Sequence, residues 1–223
     1  EVGIERSKAS RMSPKLCDRG FLERSDDSTL RVSRGFFALP ASLAHGVLAQ
    51  SRPILRRLAV AFGASARLSV LDGVLVRALR TESAAEQRPA AASLVTPCWC
   101  TGAGRALLLD HSLEDVLSVL DGYELIGVGG PNAAHSADEL VAANERDRPQ
   151  GMTAAHDEFE HGITEYAAPI RDSHSRIWGA IAVLGRQQDV VPQEEAIRQS
   201  LKSAARTLGE LLESPAPGPR IHS

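Results

Sequence analysis

The sequence has little cysteine and no long apolar run. Its three cysteines, Cys17, Cys98 and Cys100, are too few and too closely placed for a disulfide framework, which favours a reducing compartment. No apolar segment approaches the roughly 20 residues that span a bilayer, and the first residues are too polar for a signal peptide. We therefore expect a soluble, cytoplasmic protein with no membrane partner.

Recognisable catalytic and metal-binding motifs are also missing. The segment 127–131 is glycine-rich, but it ends in proline and lacks the Lys-Ser or Lys-Thr of a phosphate-binding loop. No Gly-x-Ser-x-Gly nucleophile motif occurs. His156 and His161 are five residues apart, a spacing that does not place both on one helix face, so a solvated loop is favoured over a metal site there. We predict no enzyme activity, no metal and no cofactor.

Charge limits the class of partner. The formal net charge is −3 and the pI is about 6.2, which argues against a protein that coats nucleic acid over its whole surface. Basic residues nevertheless gather before residue 35. Any contact with nucleic acid is expected to be local to this segment.

Periodicity and chain breakers predict an α+β protein. We expect a helix at 7–19, two short strands at 21–24 and 29–32, and a helix at 36–50 that Ser51-Arg52-Pro53 separates from another at 54–62. Asp72-Gly73 between apolar runs predicts a β-hairpin. Helices are expected at 104–109, 113–120, 136–146 and 192–212, and strands at 166–170 and 177–184, before a disordered proline-rich tail at 215–223.

The turn Thr101-Gly102-Ala103-Gly104 leads directly into an apolar helix. Amide N–H groups at a helix start lack partners, and the small residues would let an anion approach them. Close packing in a tight turn would equally explain the glycines, and both interpretations stay open. The preceding Cys98-Trp99-Cys100 is interpreted as buried packing rather than a zinc or redox motif, with Trp99 near a pocket.

The order of these elements resembles IclR-type bacterial transcriptional regulators. The resemblance rests on Gly20-Phe21-Leu22-Glu23-Arg24, the Asp72-Gly73 hairpin, the Thr101–Leu108 turn, the 151–162 segment and Ala167-Ala168-Pro169. It implies a winged helix-turn-helix at 1–35, N-terminally truncated as given, a linker helix at 36–51, and a GAF-like antiparallel sheet with flanking helices at 52–214. Pro14 within the expected recognition helix departs from the pattern, because proline removes a helical hydrogen bond.

The resemblance implies double-stranded operator DNA as one partner. In a winged helix-turn-helix the second helix enters the major groove, and the wing contacts phosphates. The candidate DNA-binding residues are Arg6, Ser7, Lys8, Ser10, Arg11, Lys15, Arg31 and Arg34. Two half-sites on operator DNA require two DNA-binding domains, so a homodimer is expected, with a dimer of dimers as a further possibility.

The resemblance also implies a small-molecule effector. Its candidate contacts are Trp99, Gly102, Ala103, Ala155, Glu165, Ala182 and Leu184. Three of the positions that are polar in relatives binding small keto acids are apolar here, and Glu165 would repel a carboxylate. We therefore expect an aromatic or amine-bearing effector that alters operator binding through linkage. The alternative is a GAF-like binding module or enzyme that does not bind DNA.

Overall fold

The computed structural model describes residues 22–24, 30–32, 41–84, 95–125 and 127–213. The predicted recognition helix at 7–19 and the predicted disordered tail lie outside the described residues. The chain divides into two units, and among the described residues the first unit extends to His45 and the second begins at Gly46. In the first unit β1 (Leu22–Arg24) pairs with antiparallel β2 (Leu30–Val32), as predicted for the two strands.

Helix α1 (Ala41–Phe62) is continuous, so the predicted break at Ser51-Arg52-Pro53 is wrong. Pro53 lies inside the helix on its exposed side. The residues that follow it include Leu55 and Leu58, which are buried in the main core. Packing of an apolar face supplies most of a helix's stability in proteins, and here it outweighs the hydrogen bond that proline cannot donate.

The second unit contains a six-stranded antiparallel sheet in the order β5-β4-β3-β8-β7-β6. The strands are β3 (Ser65–Asp72), β4 (Leu75–Ser83), β5 (Val95–Pro97), β6 (Thr153–His156), β7 (Ile163–Arg171) and β8 (Ile177–Arg186). The predicted hairpin is confirmed, and Gly73 is the first residue of its turn with φ +61°. A positive φ at this position alone is typical of a type II′ turn.

Helices cover both faces of this sheet. The longer helices that follow α1 are α2 (Gly102–Leu107), α3 (Leu113–Leu120), α4 (Ala137–Asp147) and α5 (Glu194–Glu213). A single helical turn, Gln187–Val190, follows β8. One core contains buried residues of α1 and α5, and the other contains buried residues of α2, α3 and α4. The predicted α+β class is confirmed. No helix among the described residues is both long and apolar enough to cross a membrane.

Candidate functional site

Three of the predicted effector contacts lie in one row across the sheet. Ala155 on β6 is opposite Glu165 on β7, and Glu165 is opposite Leu184 on β8. Directly paired residues of antiparallel strands point to the same face, so these side chains are neighbours. Ala182 and Arg67 are paired two residues further along the strands, in the next row on the same face. The sheet therefore places a carboxylate and a guanidinium on the face covered by α2.

The carboxylate of Glu165 is held by the start of α2. The amide of Gly102 donates a hydrogen bond to its Oε2 at 2.8 Å, and the amide of Ala103 also contributes. A Cβ on Gly102 would lie 2.7 Å from the backbone oxygen of Glu165, closer than such atoms approach. Glycine at 102 is thus required for close packing, and the predicted anion anchor is occupied by the protein's own carboxylate. The turn therefore combines close packing of its glycine with hydrogen bonding of a carboxylate by its amides, and that carboxylate belongs to the protein itself.

Burial and charge act on Glu165 in opposite directions. The residue is 7% exposed, and its removal from water raises its carboxyl pKa above the ordinary value. The positive charge of Arg67 and the amides of Ala103 and Gly102 lower that pKa. Arg67 is equally buried. The site therefore contains one buried acid and one buried base in an otherwise apolar region.

A small cavity adjoins this pair. It is lined by Arg67, Thr96, Cys100, Thr101, Ala155, Phe159, Ile163, Glu165 and Leu184. Its volume is about 10 Å³, close to the space that a single water molecule requires. Any larger molecule can enter only if the surrounding segments move apart.

The predicted residues separate into two groups. Ala155, Glu165 and Leu184 line the cavity, and Gly102 and Ala103 contact Glu165 through their amides. Trp99 and Ala182 instead lie in the core beneath α2, and the indole of Trp99 donates to the carbonyl of Val128 at 3.3 Å. Arg31 lies in β2, and the other seven candidate DNA-binding residues are outside the described residues.

Several lining residues were not predicted. Arg67 carried a usable signal, because a charged residue within the apolar strand Ala66-Arg67-Leu68 needs a buried partner. The turn 157–162, which carries Phe159, was treated as a solvated loop, yet it covers the cavity. The preceding residues form strand β6, which was not predicted from the sequence. That strand is short and pairs only at the sheet edge, so its pattern is weak.

The cysteine motif behaves as core packing. Cys98 and Cys100 are both fully buried in a 3₁₀ turn. Loss of hydration raises the pKa of each thiol to about 12. Thiolates are the reactive form, so neither thiol is poised for redox chemistry at neutral pH.

Comparison with known proteins identifies a family that shares this architecture. The family model of the bacterial transcriptional regulator IclR C-terminal domain matches residues 42–210. The chain belongs to the IclR family of bacterial transcriptional regulators. Family members are transcription factors rather than enzymes, and the second unit is the GAF-like effector-binding domain. No curated protein matches the sequence.

Solved structures of IclR-family proteins share this fold. An IclR transcriptional regulator from Silicibacter sp. TM1040 has 22% identity and a TM-score of 0.71, over 97% of this chain and 87% of that one. An IclR homologue from Microbacterium hydrocarbonoxydans, complexed with 4-hydroxybenzoate, has 22% identity and a TM-score of 0.66, over 94% and 86%. The Agobacterium tumefaciens repressor BlcR has 17% identity and a TM-score of 0.64, over 93% and 84%.

Proposed function

We propose that this IclR-family regulator binds operator DNA through residues 1–35 and a small-molecule effector in the cavity beside Glu165. The observation that carries the effector site is the pair of buried opposite charges, Arg67 and Glu165, on one cavity wall inside an apolar domain. Charged groups are costly to bury even when they have partners, so a core that serves only stability has little reason to contain them. A cavity with few convergent polar groups is typical of a ligand site.

An aromatic or amine-bearing effector best matches the chemistry of the residues that line the cavity. The Gly102 amide is already bonded to Glu165, so an incoming carboxylate would compete with a tethered one and meet its negative charge. An ammonium group would instead pair with Glu165, and Phe159 offers a surface for an aromatic ring. The related Microbacterium protein is complexed with the aromatic acid 4-hydroxybenzoate, which supports an aromatic ring in the effector. The preference for an amine over an acid rests on Glu165 alone.

The proposed mechanism is a shift between two populations. The cavity as described has room for about one water, so the effector must stabilise a more open arrangement. In a homodimer that arrangement would change the spacing or orientation of the two DNA-binding heads. Measurement of the mass in solution distinguishes a homodimer from a dimer of dimers.

A matched ligand pair tests the effector class. We expect 4-hydroxybenzylamine to raise the melting temperature of the full chain more than 4-hydroxybenzoate, since the two differ mainly in the charged group. Glu165→Gln should reduce this preference, whereas Glu160→Gln, on the exposed side of the neighbouring turn, should retain it. Stabilisation by the acid alone would contradict the proposed class.

Gel retardation of the protein's own upstream DNA across a salt series tests the DNA-binding role. Arg11→Ala should weaken binding, and Arg186→Ala, an exposed arginine of the effector-binding domain, should not. Affinity should fall as salt rises, because phosphate contacts release counterions. The absence of specific retardation with a flat salt response would leave a ligand-binding module without DNA binding.

A further inference from the structure

Beneath the cavity, α2 contributes a buried arginine that binds five groups at once. The guanidinium of Arg105 donates to Asn144 Oδ1 at 3.2 Å and to the carbonyls of Ala154 at 3.2 Å and Ala143 at 2.9 Å. It also donates to the carboxylates of Asp147 and Glu158. A guanidinium has five N–H groups, so every donor of Arg105 is used.

Charge in this cluster does not balance. One guanidinium faces two carboxylates, and the side chains of Arg105, Asp147 and Glu158 are only 4%, 16% and 11% exposed. Oε2 of Glu158 is buried and has no hydrogen-bond partner among the described residues. Glu165 on β7 adds a further nearby negative charge. A buried excess of negative charge is costly, and a bound proton on one carboxyl group would reduce it.

Glu158 also belongs to the segment that covers the cavity. It lies in the turn 157–162, and its neighbour Phe159 lines the cavity. Within the turn, Asp157 accepts from the amide of Gly162. The backbone oxygen of Glu158 accepts from the amide of Gly130 at 2.7 Å. The contact between Glu158 and Arg105 is therefore the side-chain link that joins the covering turn to α2.

We propose that Glu158 is a positioning residue of the effector site, which holds the turn 157–162 closed over the cavity most firmly as a neutral acid. Closure then strengthens as the pH falls through neutrality, and opening is easier above it. The role of this closure in ligand access rests on the proposed function. The pH-dependent movement of the turn is independent of the proposed function.

The direction follows from linkage. Burial raises the pKa of Glu158 from 4.5 to about 7, with Arg105 opposing and with Asp147 and Glu165 assisting the rise. A raised pKa means that the closed form binds a proton more tightly than an open, hydrated form does. The resulting stabilisation is complete below 4.5 and is lost as the pH rises through 7. The thiol of Cys100 also interacts electrostatically with Glu158. Its pKa is raised to about 12, so it stays neutral over the pH range considered.

Hydrogen exchange followed by mass spectrometry tests this without any ligand. Peptides covering 157–163 and 129–133 are followed in the full chain from pH 5.5 to 7.5, with exchange times scaled for the intrinsic rate. We expect protection to increase towards low pH, with a limit of about tenfold per pH unit set by one proton. Glu158→Gln should show the low-pH protection at every pH, because a neutral amide resembles the protonated acid.

Two comparisons separate Glu158 from other titrating groups of the turn. His156 and His161 remain in every variant, and His161 is 3.6 Å from Asp157, so a pH response caused by either histidine would persist in Glu158→Gln. Glu160→Gln, on the exposed side of the same turn, should keep the full pH response. A flat wild-type profile, or a pH response retained in Glu158→Gln, would overturn the proposal. Failure of ligand binding alone would instead count against the proposed function.

Discussion

Replacing Arg105 by methionine should strongly destabilise the effector-binding domain. The substitution keeps a long apolar side chain but leaves Asp147, Glu158 and the amide of Asn144 without their shared donor. Breaking a buried ion pair by removing one partner costs about 3–5 kcal/mol. Two carbonyl oxygens also lose a donor, so the upper part of this range is expected at pH 7.5. Domain stabilities are typically about 5–15 kcal/mol, which makes this a large fraction.

Urea denaturation followed by tryptophan fluorescence measures this cost. Both tryptophans, Trp99 and Trp178, lie in the second unit, so the signal follows the effector-binding domain. The control is Arg186→Met, since Arg186 bonds Asp189 at 2.8 Å but is 64% exposed. Exposed ion pairs contribute about 0–1 kcal/mol. The two variants therefore remove the same chemical group from environments that differ in burial.

The cost of Arg105→Met is also expected to depend on pH. Without Arg105, Glu158 can avoid a buried charge only by protonation, so the loss of stability should be smaller at pH 5 than at pH 7.5. A cost for Arg105→Met no greater than that for Arg186→Met would refute the reasoning. So would a cost that does not change with pH, because it would point to lost packing rather than unpaired charge.

Three further outcomes can be measured on the same domain. Gly104→Ala should lower the urea midpoint, although alanine is the better helix former, because a Cβ there would lie 2.2 Å from the backbone oxygen of Cys98; an increase would contradict the packing. Ser112→Ala removes the N-cap of α3 and should cost about 1 kcal/mol by the same assay, and no change would show that the cap is dispensable. Cys98 and Cys100 should resist alkylation at pH 8 until urea unfolds the domain; mass spectrometry that finds either labelled in native protein would contradict their burial.

Local signals predicted most of the elements but not their limits. Asp72-Gly73 indicated the β3–β4 hairpin because a glycine can take the positive φ that the turn requires, and Ser112 with Asp115 marks the start of α3 as a capping box. Pro53 led to a wrong prediction because tertiary packing outweighed the local signal. A local rule predicted a break, whereas burial of Leu55 and Leu58 against the sheet favours a continuous helix.

The candidate site could be predicted only in part. Spacing brought Ala155, Glu165 and Leu184 into consideration, and strand register explains why they are neighbours. The partners of Glu165 could not be inferred in the same way. Gly102 is 63 residues away along the chain, and the contact exists because α2 crosses the face of β7.

The sequence by itself determined the composition of a folded α+β protein, the glycine-rich turn at Thr101–Leu107 and the order of elements that identifies an IclR-family regulator. Those properties depend on residues close in sequence or on their order. Only the tertiary structure decided that the carboxylate of Glu165 accepts a hydrogen bond from an amide of that turn, and that Arg105 donates hydrogen bonds to two carboxylates. Both contacts join residues that are distant in sequence, and their energies depend on exclusion of water, which no local pattern specifies.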